Sequence, residues 1–244
     1  MIKNIFLFTD LDDTLWQTKR KIENFHPNLK QVTSSLTHPS FMREDQELFS
    51  ELFLNHPDIS VIPITARELN QYKRTYLYND ERVKLAVIYF SGMILYENRV
   101  DEEWQKIINH KYAKLKFQLT KLQKLIKNHI KVKWDEFKFV NVDDFYLNIK
   151  YIDRNTYKEP IKYVYEILKE MELDGFSINS NDNNIAILPE FLNKELAINY
   201  IIDKYKPRLT LGAGDSLSDL GFMQKSNYLI IPQKSQINEK LNNF

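Results

Sequence analysis

An apolar run that stops at a cluster of acids constrains this chain more than any other feature. Ile2 to Thr9 is short and rich in β-forming residues, and it ends at Asp10-Leu11-Asp12-Asp13-Thr14-Leu15. A run without polar alternation reads as a strand buried on both faces, as in a parallel sheet. Ser60 to Thr65 reads the same way, and Pro63 places it at an edge or strand end because proline cannot donate to the ladder. Val83 to Phe90 and Leu209 to Gly212 are further strand candidates, with helical patterns between them at Asp45 to Leu54 and Lys194 to Tyr205. Strands alternating with helices predict an α/β fold, a Rossmann-like core with a mostly parallel sheet. In such sheets the chemistry gathers at the carboxyl ends of the strands. Asp10, Thr65 and Gly212-Ala213-Gly214-Asp215 all fall at such ends.

The middle of the chain has a different pattern. Trp104, Ile108, Tyr112, Leu115, Leu119, Leu122 and Ile126 step by four or three, which predicts one long amphipathic helix. Phe145, Leu147, Ile149 and Tyr151 alternate with polar or amphipathic residues, as in a half-buried strand. A helix over Ile161 to Met171 follows. Phe176-Ser177-Ile178 and Ile185-Ala186-Ile187 then flank turn-forming residues in a predicted hairpin. This unit reads as an inserted α+β cap over residues 100–188, with the catalytic core in 1–99 and 189–244.

Composition excludes several classes of function. With no cysteine among 244 residues, thiolate metal sites, disulfides and cysteine nucleophiles are ruled out. A net charge of +1 gives no global pull toward a polyanion, and no nucleic-acid partner is expected. The nine lysines between Lys106 and Lys133, with no acid among them, read as the solvated face of a helix. No apolar run approaches the roughly 18 residues of a membrane span. The first residues lack the length and cleavage site of a signal peptide. The expectation is a cytoplasmic protein without a membrane partner. His26, His38, His56, His110 and His129 have no ligand spacing. Trp16 either gates the site or packs beneath it.

Asp10 and Asp12 at one strand end, with Asp215 and Asp219 four residues apart at another, would put four carboxylates in a small volume. Crowded carboxylates resist ionisation unless a cation neutralises them, and a hard oxygen-seeking ion such as magnesium suits a site completed by phosphate and water. Either cluster alone reads first as helix capping. The spacing of Asp10, Asp12 and Thr14 also fits the start of an EF-hand, but Leu15 stands where that loop needs glycine.

Four motifs in order separate these readings. Asp10, Asp12, Thr14 and Leu15 match D-x-D-x-T-L. Thr65, with Ala66 and Arg67, matches a strand ending in threonine. Lys194 matches a lysine near a helix start, and Gly214, Asp215 and Asp219 match G-D-x-x-x-D. The chain therefore resembles the haloacid dehalogenase superfamily of phosphatases across nearly its whole length. Thr65-Ala66-Arg67, the ending Gly212 to Ser216 and the insertion point resemble the sucrose-phosphate phosphatase subgroup. Ser218 departs from the asparagine found in many relatives.

The resemblance implies a magnesium-dependent phosphatase acting on a small-molecule phosphate ester, a sugar phosphate by analogy. Asp10 would be the nucleophile and Asp12 the general acid and base. Thr65 and Lys194 would be catalytic and, with Arg67, would bind the phosphorylated substrate; an unengaged surface arginine is the alternative for Arg67. Asp10, Asp215 and Asp219, with the carbonyl of Asp12, would hold the metal. Two alternatives stay open: a phosphosugar mutase or phosphotransferase of the same superfamily, and a binding protein that keeps the fold without turnover.

Overall fold

The computed structural model describes residues 2–22, 29–35 and 39–242, so His26 and His38 lie outside the described residues. These residues form two compact units, one of 1–105 with 193–244 and the other of 106–192.

The first unit is built on a parallel sheet in the order Tyr228–Ile230, Leu209–Ala213, Ile5–Thr9 and Ile59–Pro63. Phe6, Leu7, Phe8 and Ile62 are buried on the two faces, which is why these strands carry no polar alternation. Register brings the strand ends level: Thr9 lies opposite Ala213 on one side and Pro63 on the other. Pro63 is the last residue of its strand, where its missing N–H costs no ladder bond. The edge strand Tyr228–Ile230 has no counterpart in the sequence reading, because three residues, two exposed and one half-buried, make no periodic pattern.

The candidate at Val83 to Phe90 forms, but as Leu85–Ile88 in an antiparallel three-stranded sheet with Met93–Tyr96 and Arg99–Val100. It touches the parallel sheet through one parallel bridge, Ile64 with Val87, and through the Thr65 N–H donating to the Val87 carbonyl at 2.9 Å. The helices Glu44–Leu54 and Lys194–Tyr205 stand where the apolar spacing puts them.

In the second unit an antiparallel sheet runs in the order Phe176–Asn181, Asn184–Pro189, Tyr146–Tyr151, Phe137–Val142. Phe139, Leu147, Ile149, Ile185 and Ile187 present one face, and Leu122 and Ile126 of Leu119–His129 and Val164 and Leu168 of Lys158–Glu170 cover it.

The long helix expected from Trp104 to Ile126 is two helices, Glu102–Tyr112 and Leu119–His129. Between them Leu115 and Phe117 still pack against the unit's core. The apolar period therefore continues through the break, and no glycine, proline or polar cap marks it. Periodicity records which side chains meet the core, and here a turn meets it in the same phase as a helix would. Among the described residues, no helix is long and apolar enough to cross a membrane.

Candidate active site

The residues singled out from the sequence converge at the carboxyl ends of three parallel strands. Asp10 follows Ile5–Thr9, and its N–H donates to the carbonyl of Ala213 at 2.9 Å, which ties the two strand ends together. Asp215 and Asp219 lie just past Leu209–Ala213. Oxygens of Asp10, Asp215 and Asp219 all lie within 4.8 Å of one another, and all three residues are buried. Gly214 permits this, since a Cβ there would sit 2.6 Å from the Cβ of Asp219.

Lys194 neutralises part of the cluster. Its Nζ donates to Asp10 Oδ1 and to Asp219 Oδ1, each at 2.6 Å. The lysine is the first residue of its helix, whose N-cap, Asn193, accepts the Leu196 N–H on its side chain at 3.0 Å. Burial pulls the Lys194 pKa down, but Asp10 and Asp219 outweigh it and carry the ammonium above its usual range. The other oxygen of Asp219 accepts from the Ser216 N–H at 3.0 Å and the Ser216 hydroxyl at 2.7 Å. Ser218 bonds the Ser216 hydroxyl and leaves the acid in place.

Asp12 stands apart from this group. Both its oxygens are taken by Arg67, with Nε on Oδ2 at 2.8 Å and Nη2 on Oδ1 at 2.6 Å. The Trp16 indole donates to Oδ1 at 3.1 Å, so this buried tryptophan packs and also orients the carboxylate. Burial pushes Asp12 up, but the bidentate guanidinium more than reverses this and holds it below the usual carboxylate range. Arg67 is thus a partner of Asp12, a contact that no spacing in the sequence signals. Thr65 is buried with its hydroxyl accepting the Arg67 N–H at 3.2 Å. Thr14 donates to Asp215 Oδ1 at 3.4 Å.

The remaining carboxyls carry the electrostatic cost. Burial raises Asp10 well above its usual value, with Lys194 opposing and Asp219 adding to the rise. Burial, Asp219 and Asp13 push Asp215 up to about 7. Three hard oxygen donors crowded beside one lysine form a set that a divalent cation with oxygen preference fits.

The raised Asp215 has a consequence for stability. Between the ordinary carboxylate value and about 7, folded Asp215 holds a proton that the unfolded chain has lost. That contribution is full below the unfolded pKa and is lost as pH rises through the folded one. Metal-stripped protein should therefore melt lower at pH 8 than at pH 5.5. Asp215→Asn should lift the pH 8 melting temperature by roughly 3–6 °C, corresponding to about 1–2 kcal/mol after allowance for solvent screening. A thermal scan of both proteins with chelator checks this, and an unchanged or lower value for the variant would contradict it.

The family model for sucrose-6F-phosphate phosphohydrolases matches residues 3–242. The chain belongs to that family. The family is one of phosphatases in the haloacid dehalogenase superfamily, which makes the protein a phosphoric monoester hydrolase of sugar-phosphate type. No curated protein sequence matches it at a significant level. Among solved structures, the sucrose-phosphatase of Synechocystis sp. PCC6803, solved with sucrose and phosphate, is 16% identical with a TM-score of 0.62, covering 98% of this chain and 86% of its own. A Thermoplasma acidophilum protein is 13% identical with a TM-score of 0.59, over 99% and 89%. The C-terminal domain of C. albicans trehalose-6-phosphate phosphatase is 14% identical with a TM-score of 0.55, over 99% and 77%. At such identities these likenesses establish the fold.

Proposed function

We propose that this member of the sucrose-6F-phosphate phosphohydrolase family is a magnesium-dependent phosphatase of a sugar phosphate that works through a phosphorylated Asp10. The observation that carries this reading is the cluster of Asp10, Asp215 and Asp219 around Lys194.

Asp10 attacks phosphorus with a carboxylate oxygen, and the bond from phosphorus to the sugar oxygen breaks. Asp12 gives its proton to the departing sugar oxygen. It then takes a proton from the water that attacks the phosphorylated Asp10, which releases inorganic phosphate and restores the carboxylate. Asp10 and Asp215, with Asp219 and the backbone carbonyl of Asp12, would hold magnesium. When bound, the ion offsets repulsion between the Asp10 carboxylate and the phosphate dianion. Thr65 donates to a phosphate oxygen, and Lys194 balances the charge of the transferring group.

Arg67 has two jobs in this scheme. Paired with Asp12 it keeps that carboxylate ionised and aimed, which suits the base step. Drawn toward an incoming phosphate, it would leave Asp12 free to carry the proton that the first step needs. Choice of sugar is assigned to the inserted unit, as the family resemblance implies.

The test is phosphate release from a panel headed by sucrose 6F-phosphate and trehalose 6-phosphate, with magnesium and with chelator. Magnesium-dependent release with free sugar as co-product is expected. Transfer of the phosphoryl group to a second sugar would indicate a mutase, and no release from the panel by folded protein would count against the reading.

A further inference from the structure

Tyr89, Phe90 and Ser91 follow the strand Leu85–Ile88 with φ of 53°, 55° and 86°. Three successive non-glycine residues in the left-handed region are unfavourable, and such a stretch persists only where its surroundings hold it. Here the hold comes from segments that carry the active site. The Tyr89 N–H donates to the Arg67 carbonyl at 3.0 Å and the Phe90 N–H to the Thr65 carbonyl at 3.3 Å. The Ser91 hydroxyl donates to the Asn193 carbonyl at 2.6 Å. The Ser91 carbonyl in turn accepts the indole N–H of buried Trp104 at 2.9 Å. One short turn therefore touches the strand end bearing Thr65 and Arg67 and also the residue that precedes Lys194.

We propose that Tyr89–Phe90–Ser91 is a positioning bracket that sets Lys194 against Asp10 and Thr65, with Ser91 as its positioning residue. The proposal rests on the phosphatase reading for its kinetic consequences. Ser91 is fully buried and fixes the Asn193–Lys194 peptide, from which the lysine side chain reaches two carboxylates at 2.6 Å. A group shared at short range between two acceptors tolerates little displacement, since a shift of about 1 Å breaks one bond and can cost on the order of 10²-fold in rate. The unfavourable backbone is what lets three consecutive residues aim two N–H groups one way and a hydroxyl the other.

The experiment compares Ser91→Gly and Ser91→Ala with wild type. Glycine accepts a positive φ freely, so Ser91→Gly removes the hydroxyl and relieves the backbone, and its melting temperature should not fall. Positioning predicts kcat lower by about 10-fold with KM within about twofold, a split expected when transition-state alignment alone is lost. A crystal structure of Ser91→Gly should show Lys194 drawn away from Asp10 or Asp219. Ser91→Ala should show the same kcat loss with a lower melting temperature. Wild-type kcat in Ser91→Gly, with Lys194 in place, overturns the bracket. So does a kcat loss that merely follows a fall in melting temperature. If wild type itself releases no phosphate, the phosphatase reading fails, and the crystal structure of Ser91→Gly then decides the bracket alone.

Discussion

Asparagine at position 10 is expected to reduce phosphate release by at least about 10⁴-fold while leaving the fold intact or slightly more stable. The amide keeps the size of the carboxylate, and its oxygen can still accept the Lys194 ammonium that Asp10 holds at 2.6 Å. It cannot attack phosphorus, so the covalent route is closed. What remains is rate assistance from the surrounding donors, and a loss of 10⁴ corresponds to about 5.4 kcal/mol of transition-state stabilisation. Stability should move the other way. Asp10 is buried beside Asp219, and its pKa is driven well above the usual value by that burial. Neutralising it removes one of three crowded carboxylates. A colorimetric phosphate assay beside a thermal scan separates the two effects. Turnover above about one per cent of wild type would rule out Asp10 as nucleophile, and a collapse in melting temperature would mean that lost folding explains the lost activity.

The local part of the site was legible in the sequence. Asp10 could be read because a buried strand is a continuous apolar run and the residue after it lies at the strand's carboxyl end, whereas Asp12, Asp215 and Asp219 are picked out by motif order and the resemblance it carries. Lys194 was legible through motif order and a helix start that Asn193 caps. What escaped are contacts made across the fold. Arg67 reads as a phosphate contact or an unengaged surface cation, and its partner in the fold is instead Asp12, 55 residues earlier. Ser91 looks like a loop serine, and only tertiary bonding shows that it touches the residue before Lys194. Similarly, Leu85–Ile88 has the composition of a parallel core strand, and its antiparallel pairing with Met93–Tyr96 comes from a tight chain reversal instead of a crossover.

Lys194→Met should be the most damaging substitution for metal-free protein and among the worst for turnover. The methionine fills the space of the lysine stem but leaves Asp10 and Asp219 buried without the ammonium that both now share. Breaking a buried ion pair from one side costs about 3–5 kcal/mol, because the remaining charge stays desolvated. For a chain of this size that is a fall of roughly 10 °C in melting temperature. The pH dependence follows from the same groups. Without Lys194 the folded carboxyl of Asp10 rises further above its unfolded value, so the stability tied to its bound proton is present in acid and lost as pH increases. The deficit against wild type should therefore be small near pH 5 and large at pH 8, and saturating magnesium should recover part of it. Turnover should fall by roughly 10²–10³-fold even with magnesium, since the transferring group loses a preorganised donor. Lys194→Arg, which keeps the charge but not the shape, should recover much of the stability and little of the rate. A methionine variant that melts like wild type at pH 8 in chelator would show that the ammonium is not what permits these carboxylates to be buried together. Wild-type turnover in the same variant would remove Lys194 from the mechanism.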